Sequence, residues 1–514
     1  MTVCALGLTA HGEVRLPHVF GSNMVLQRDQ PLPVWGWAEP GEKITAFLAE
    51  QTVTATTDAA GAWRVTFAPL QTSAEGLTLT VTGANTLTLT NILVGEVWLC
   101  SGQSNMQWGL GAAVSAQTEV AAADYPQIRL LQIPRTAHPR PQADFSGAWT
   151  PCTPASAGGF SAVGYFFGRH LHRELKLPIG LIHASWGGTR IEPWTPPAGF
   201  EAVPELADLA ARVAAWDAAT PTGQVAWTRS LEDLKRWLPL AEQAVASGKN
   251  PPDAPRTPLP GIETAIREPT CLYNTMIHPL LPLACRGAIW YQGESNGSEG
   301  ESYRWKMKAL IDGWRKAFAN PELAFVFVQL ANFQADSRTP AGGNGYARLR
   351  EAQLQSLAIP HTGMAVTIDI GEGNDIHPRN KQDVGYRLAA WALSRTYGKP
   401  IVGSGPRYRS QRIVDGRIRI AFDDVGGGLV AARKTGLEPA KPMADGKLER
   451  FAIAGEDRVW QWAEAVIEGG EVVVSSPAVP APVAVRYAFD SNPEGCNLYN
   501  REGFPASPFR TDNW

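Results

Sequence analysis

No run of apolar residues in this 514-residue chain reaches the ~20 that a membrane-spanning helix needs, so it reads as a soluble protein with no membrane partner. There is no basic surplus either. Lys and Arg number 46 against 49 Asp and Glu, a formal net charge of −3, which leaves nothing to neutralise a nucleic-acid backbone and excludes nucleic acid as an expected partner. Charged residues of both signs are sparse at 18%, below the ~25% usual in soluble domains. Cysteine is sparse too. Cys4, Cys100, Cys152, Cys271, Cys285 and Cys496 are scattered, with no CxxC pair and no zinc spacing, and read as buried thiols. No internal repeat of 20 to 50 residues is evident. Residues 3–8 are apolar and small residues follow, but the cationic n-region and the full h-region of a signal peptide are missing. That segment is either the trimmed end of such a peptide or an ordinary frayed terminus.

What is plentiful is glycine (50), proline (40) and, unusually, tryptophan. Gly and Pro together supply about one residue in six, against ~12% on average, which favours a loop-rich fold. The 18 Trp exceed both Phe (17) and Tyr (11). Indole fills cores, but it also stacks on the weakly apolar faces of sugar rings while its N–H remains free to bond. Composition alone does not choose between these. At ~150 residues per domain the length suggests about three folding units.

Along the chain the pattern changes twice. Residues 15–93 are a series of short β-branched or aromatic runs (25–27, 34–37, 44–47, 53–56, 63–67, 77–81) punctuated by turns such as Glu39-Pro40-Gly41, which predicts an N-terminal β-sandwich over 1–95. From Glu96 onward apolar strands (96–100, 128–132, 179–184, 287–291, 325–330, 364–370) alternate with amphipathic helices (161–175, 302–318, 346–357, 381–397). That alternation predicts a parallel sheet covered by helices on both faces, with ligands at the carboxyl ends of its strands. The catalytic region so defined comprises 96–200 and 266–400. Between them, 201–265 reads as a helical insertion (206–216, 230–247) followed by a Pro-rich linker (250–260). Short strands return in 401–514, a second β domain set against the first.

Three strand ends carry small and polar clusters: Ser101-Gly102-Gln103-Ser104-Asn105-Met106, Ser185-Trp186-Gly187-Gly188-Thr189-Arg190 and Gln292-Gly293-Glu294-Ser295-Asn296. On one sheet edge they converge on one crevice. Acyl transfer needs a nucleophile, a base and donors for the tetrahedral oxyanion. Ser104, beside glycine after a strand, suits a sharp turn that exposes its hydroxyl and aims its own N–H at the developing charge. Gly188 can offer a second backbone N–H at close approach, and Asn296 a side-chain amide. The base is sought in Asp375-Ile376-His377-Pro378: Pro378 holds His377 out of helical geometry, and residues two apart in extended backbone share a face. His377 would take the Ser104 proton while Asp375 orients the imidazole. Ser101, Ser185 and Ser295 are rival nucleophiles or turn hydroxyls. His183, within a strand, reads as a core residue. His170 and His172, two apart on a helix, diverge and cannot share a metal.

These residues resemble the SGNH hydrolase superfamily and, more closely, its sialate O-acetylesterase family of carbohydrate acetylesterases. The resemblance rests on GQSNM (102–106), WGGTRIEPW (186–194), WYQGESN (290–296) and DIHPRNK (375–381). It extends to VFGSNMVLQRDQPLPVWGWAEPGE (19–42) and NPEGCNLYNREGFPASPFRTDNW (492–514), nearly the whole chain. It implies an α/β, SGNH-like parallel sheet flanked by N- and C-terminal β domains. It also implies Ser104 as nucleophile, His377 as base, and an oxyanion hole of Ser104, Gly188 and Asn296. The superfamily writes its last block Asp-x-x-His; here Asn374 holds that place, so Asp375 is the expected acid and Asp369 the alternative. Gln103, Arg190, Glu294 and Trp194 are the candidate substrate-binding side chains, with Trp108, Trp186 and Trp290 as further sugar-facing or loop-packing indoles. Trp35, Trp37, Trp63, Trp460 and Trp462 are expected in cores. Some longer relatives carry an inserted jelly-roll, expected to be absent here.

The implied activity is removal of acetyl groups from sugar hydroxyls through an acyl-enzyme, without metal or cofactor. The substrate is an acetylated glycan, a plant-wall polysaccharide such as xyloglucan or O-acetylated sialic acid. The expected location is periplasmic or secreted, with the cytoplasm as the alternative. A non-catalytic glycan-binding protein and a lipase or thioesterase of the same superfamily are the competing readings.

Overall fold

A computed structural model describes residues 12–336 and 338–514; Cys4 and the apolar segment 3–8 lie outside the described residues. Its centre is a sheet built from β1 (Thr86–Gly102), β2 (Tyr125–Gln132), β3 (Thr150–Cys152), β4 (Ile179–Ser185), β5 (Gly287–Tyr291), β6 (Ala324–Gln329) and β7 (Thr362–Val366). In space the order is β7-β6-β5-β1-β4-β2-β3, with every neighbour pair parallel except β2 and β3. Every residue of β4, β5 and β6 is buried, as both faces of a helix-covered parallel sheet require. The helices Ala162–Leu175, Tyr303–Ala317, Tyr346–Gln355 and Lys381–Trp391 supply that cover.

The N-terminal strands join this centre through one shared element. The first half of β1 alternates partly buried and exposed residues and pairs antiparallel with Ser73–Thr82, whereas from Ile92 onward it is wholly buried and runs on into the central sheet. No sheet break therefore separates residue 95 from residue 96. Within the insertion, Ala207–Ala214 and Pro221–Ala246 are helices, the longer one capped by Thr220, whose hydroxyl accepts the Gly223 N–H next to Pro221 at the first helical position.

The C-terminal strands pack around a second core that includes Ile418, Ile420, Phe451, Val472, Val485 and Tyr487. Its polar ties run to the central unit. Gln329 at the end of β6 donates to Ser507, and Arg510 pairs with Glu351 and Glu301. Arg350, wholly buried, donates to the carbonyls of Leu330, Ala331, Asp490 and Ser491. Among the described residues no helix is long and apolar enough to cross a membrane.

Candidate active site

The three central strands end level with one another. Gly102 of β1 stands opposite Ser185 of β4 on one side and Tyr291 of β5 on the other. The three clusters thus leave the sheet in one row, and backbone bonds tie them together: Gln103 N–H donates to Tyr291 O (2.9 Å) and Trp186 N–H to Gly102 O (3.1 Å). Gly102 is required there. Its φ is +138°, and a Cβ would lie 2.1 Å from the Tyr291 carbonyl oxygen.

Ser104 opens the short helix Ser104–Gln107, so its N–H has no intrahelical acceptor. It is half-buried. Gly187 lies against it, its missing Cβ position 3.2 Å from Ser104 Cβ, and Gln107 Oε1 accepts the Gly187 N–H at 2.7 Å. Gly188, exposed at φ +74° with open space where a Cβ would point, is free to present backbone to a substrate.

The loop after β7 returns across the strand ends to bring His377 to this place. Asn105, next to Ser104, donates to the carbonyl of Ile376, next to His377, at 2.9 Å. Trp108 stacks on the imidazole, with centroids 5.2 Å apart and planes 18° from parallel. His377 is not hydrogen-bonded to Ser104 here. Asp375 does stand beside His377, but not through extended backbone: its Oδ1 accepts the His377 N–H at 2.8 Å, a local turn, and lies 3.7 Å from Nδ1. The following helix begins later, capped by Asn380. Asp369 is elsewhere, gripped by both Arg387 nitrogens (2.6 and 2.7 Å) and by Tyr499 OH (3.0 Å).

Beneath the two loops lies a group that the sequence did not announce. Lys381 is wholly buried, donates to Asn105 Oδ1, and sits over the rings of Tyr291 and Trp108 (5.4 and 5.9 Å). An ammonium only donates, so it fixes the Asn105 oxygen toward itself and the Asn105 amide toward Ile376 and Glu294. The second Glu294 oxygen has no partner among the described residues, and burial raises that carboxyl above its ordinary value. Burial pushes Lys381 down to about 7. His377 is held below its ordinary value, first by burial and then by Lys381, with Asp375 opposing. It is therefore neutral at neutral pH, as a general base must be. Lys381 and Asn105 both stand in the blocks DIHPRNK and GQSNM, but no spacing rule marks a residue that acts from below.

Several expected contacts differ. Asn296 is buried with its amide on Glu192 and Glu299 (3.2 and 3.0 Å) and its oxygen accepting from Ile191 and Gln292. It braces the neighbouring loop, and its donors are occupied. Gln103, also buried, accepts from Gln292 and the Ser295 N–H and so locks its loop to the next one. Arg190 is engaged by Glu192 and Glu299, which also hold Lys306. Trp194 and Trp290 pack edge-to-face in the core, so neither can face a sugar; Trp108 and Trp186 stay partly exposed. Of the flanking indoles, Trp63 and Trp460 are buried, Trp35 and Trp37 half-buried, and Trp462 exposed. His183 bonds Gln132 and Ser185 inside the core, where burial lowers it to about 3. Cys100, Cys152, Cys271 and Cys285 are buried free thiols, and Cys496 is a half-buried one. Among the described residues no cluster of His, Cys, Asp and Glu could hold a metal.

The family model for carbohydrate esterase, sialic acid-specific acetylesterase, matches residues 94–215 and 262–394. Sialate O-acetylesterase of Rattus norvegicus is 31% identical, over 74% of this chain and 74% of that protein. The Mus musculus enzyme of the same name is 28% identical, over 95% of this chain and 92% of that one. A solved carbohydrate acetylesterase from Xanthomonas citri is 36% identical, with a TM-score of 0.79, covering 98% of this chain and 100% of that chain.

Proposed function

We propose that this chain, which belongs to the sialate O-acetylesterase family of carbohydrate esterases, cleaves acetyl esters of sugars through a serine acyl-enzyme. It is a carbohydrate O-acetylesterase. The observation that carries the mechanism is the Asn105–Ile376 hydrogen bond, which draws the Ser104 and His377 loops together over a buried base-tuning lysine. His377 Nε2 takes the Ser104 proton as Oγ attacks the acetyl carbon. The oxyanion is held by the N–H groups of Ser104 and Gly188, each such donor being worth ~10²- to 10³-fold in rate. The imidazolium, steadied by Asp375, returns the proton to the departing sugar oxygen as the ester C–O bond breaks. Water then repeats the sequence, releasing acetate and restoring Ser104. Asn296 supports the hole from behind by fixing Ile191 and Gln292.

As substrate we favour a neutral acetylated glycan of the plant-wall kind, such as xyloglucan, over O-acetylated sialic acid. A sialate carboxylate calls for a free bidentate arginine, and Arg190 is already spent on two carboxylates. Ser104→Ala should abolish acetate release from an aryl acetate with the fold retained; undiminished turnover would overturn the nucleophile. Initial rates on acetylated xyloglucan oligosaccharides and on O-acetylated sialic acid, measured side by side, test the substrate, and a preference for the sialate would reverse this choice.

A further inference from the structure

Two large cavities border the β6–β7 edge of the central sheet. One, of about 520 Å³, runs along β7 from Thr362 to Val366 and includes no residue of the loops around Ser104 and His377. The other, of about 500 Å³, opens on the carboxyl-end side, where ligands of parallel sheets bind. Asn332 beyond β6 and the segment Asp369, Gly371, Gly373 beyond β7 form one wall. Arg433, Asn492 and Glu494 of the C-terminal β unit form the other. The first wall leads to the proposed base: the Asp375 N–H bonds back to Glu372 O, so Gly373 belongs to the same tight loop that ends at His377.

The walls are fixed before any ligand arrives. Arg350 clamps the carbonyls of Leu330 and Ala331 to those of Asp490 and Ser491, immediately before Asn332 and Asn492. Asn332 then bonds Asn492, and its oxygen accepts the Gly371 N–H. Each amide carries two N–H donors and two lone pairs, so Asn332 keeps one of each unspent. Arg433 and Glu494 are exposed, and their side chains have no hydrogen-bond or ion-pair partner among the described residues. The other charged groups of the lining, Asp369 and Lys434, are paired with Arg387 and Asp383, which leaves Arg433 against Glu494 and a lining that offers donors and acceptors in balance, matching hydroxyl groups, which both donate and accept. A carboxylated sugar would meet the carboxylate of Glu494 as well as the guanidinium of Arg433. The volume falls within the ~300–1,000 Å³ of small-ligand sites.

We propose that this cavity is a subsite for a neutral sugar unit of the acetylated glycan, holding the chain beyond the ring whose ester is cleaved at Ser104. The proposal rests on the acetylesterase reading and adds to it a requirement for chain length. The experiment compares kcat/KM for an acetylated neutral tetrasaccharide with that for the acetylated monosaccharide of the same sugar. It uses the full chain and the surface variants Arg433→Ala and Glu494→Gln. The wild-type chain should prefer the tetrasaccharide, and each variant should shrink that preference roughly fivefold to tenfold, the loss of one hydrogen bond of ordinary strength. No preference in the wild type, or variants that lower both substrates alike, would overturn the subsite. A loss confined to sialylated glycans would overturn its neutral character. Failure of the nucleophile assignment shows separately, as retained activity in Ser104→Ala, and leaves the wild-type length preference readable.

Discussion

His377 stands between charges of opposite sign, and as the proposed base its protonation should set the acid limit of activity. Burial and the Lys381 ammonium lower its pKa, while Asp375 raises it; Glu294, Glu372 and Asp375 in turn face Lys381. A base with a depressed pKa stays neutral, and the enzyme active, to a lower pH than a free histidine would allow. Lys381→Met removes one of the two depressing causes. The acid limb of kcat/KM for an aryl acetate should then move to higher pH, and Lys381→Arg, which keeps the charge, should leave it nearer the wild-type position. Asp375→Asn acts with the opposite sign: the limb should move to lower pH, and kcat should fall by up to ~10⁴-fold if Asp375 orients the imidazole as a triad acid does. Asp369→Asn separates the two carboxylates. It breaks a buried bidentate pair with Arg387, so it should cost ~3–5 kcal/mol of stability in denaturant titrations and leave the position of the limb unchanged. A limb that tracked Asp369 instead would reassign the acid.

At the scale of elements, the site depends on strands that end in register. Gly102→Ala tests this directly. Alanine would bring a Cβ within 2.1 Å of the Tyr291 oxygen at a φ of +138°, so β1 and β5 must part. A cost of about 2 kcal/mol or more is expected, with a larger proportional loss of kcat than of secondary structure by circular dichroism. Those strands were legible because burial on both faces writes continuous apolar runs, as in Ile179–Ser185 and Ala324–Gln329. The candidate loops were legible because three strand ends each carry glycine beside small polar residues, where any one alone reads as a tight turn. Side-chain partners were not. Trp194 sits in a motif next to the proposed oxyanion loop, yet its N–H is taken by Thr189 and its ring by Trp290; nothing in a linear pattern distinguishes an indole that faces the cleft from one that roofs the core. In sequence Asn296 looks like a free donor because Glu192 and Glu299, which occupy its amide, come from two different segments. The turn that joins Asp375 to His377 also overrode the extended backbone that Pro378 suggested, since the Asp375 carboxylate found the His377 N–H first.

For the molecule as a whole, the three units are joined in physically different ways, and that difference predicts how they unfold. The N-terminal strands share β1 with the central sheet, so separating them means tearing one 17-residue strand out of two sheets at once. The C-terminal unit has its own apolar core and meets the centre largely through polar groups: Arg350, the Gln329–Ser507 bond and the Arg510 ion pairs. Arg350 dominates this seam. It is wholly buried, and burial lowers it to about 10, so it remains charged at neutral pH with four carbonyl oxygens as its partners. Arg350→Met keeps most of the volume but leaves the carbonyls of Leu330, Ala331 and Asp490 without this donor, each at a cost of ~1–3 kcal/mol before relaxation, while Ser491 O keeps the Phe333 N–H. Calorimetry should show the result as a change of shape as well as of position. The C-terminal unit should unfold in an earlier, separate transition, while the N-terminal strands and the central sheet still melt together. If Arg350→Met merely lowers a single cooperative transition, the seam is held by apolar packing and the guanidinium is not its main tie. The same variant also connects the seam to catalysis. Asn332 and Asn492 follow the clamped carbonyls directly, so loosening the clamp should weaken the preference for long glycans before it slows turnover of an aryl acetate, whose ester needs only the loops around Ser104.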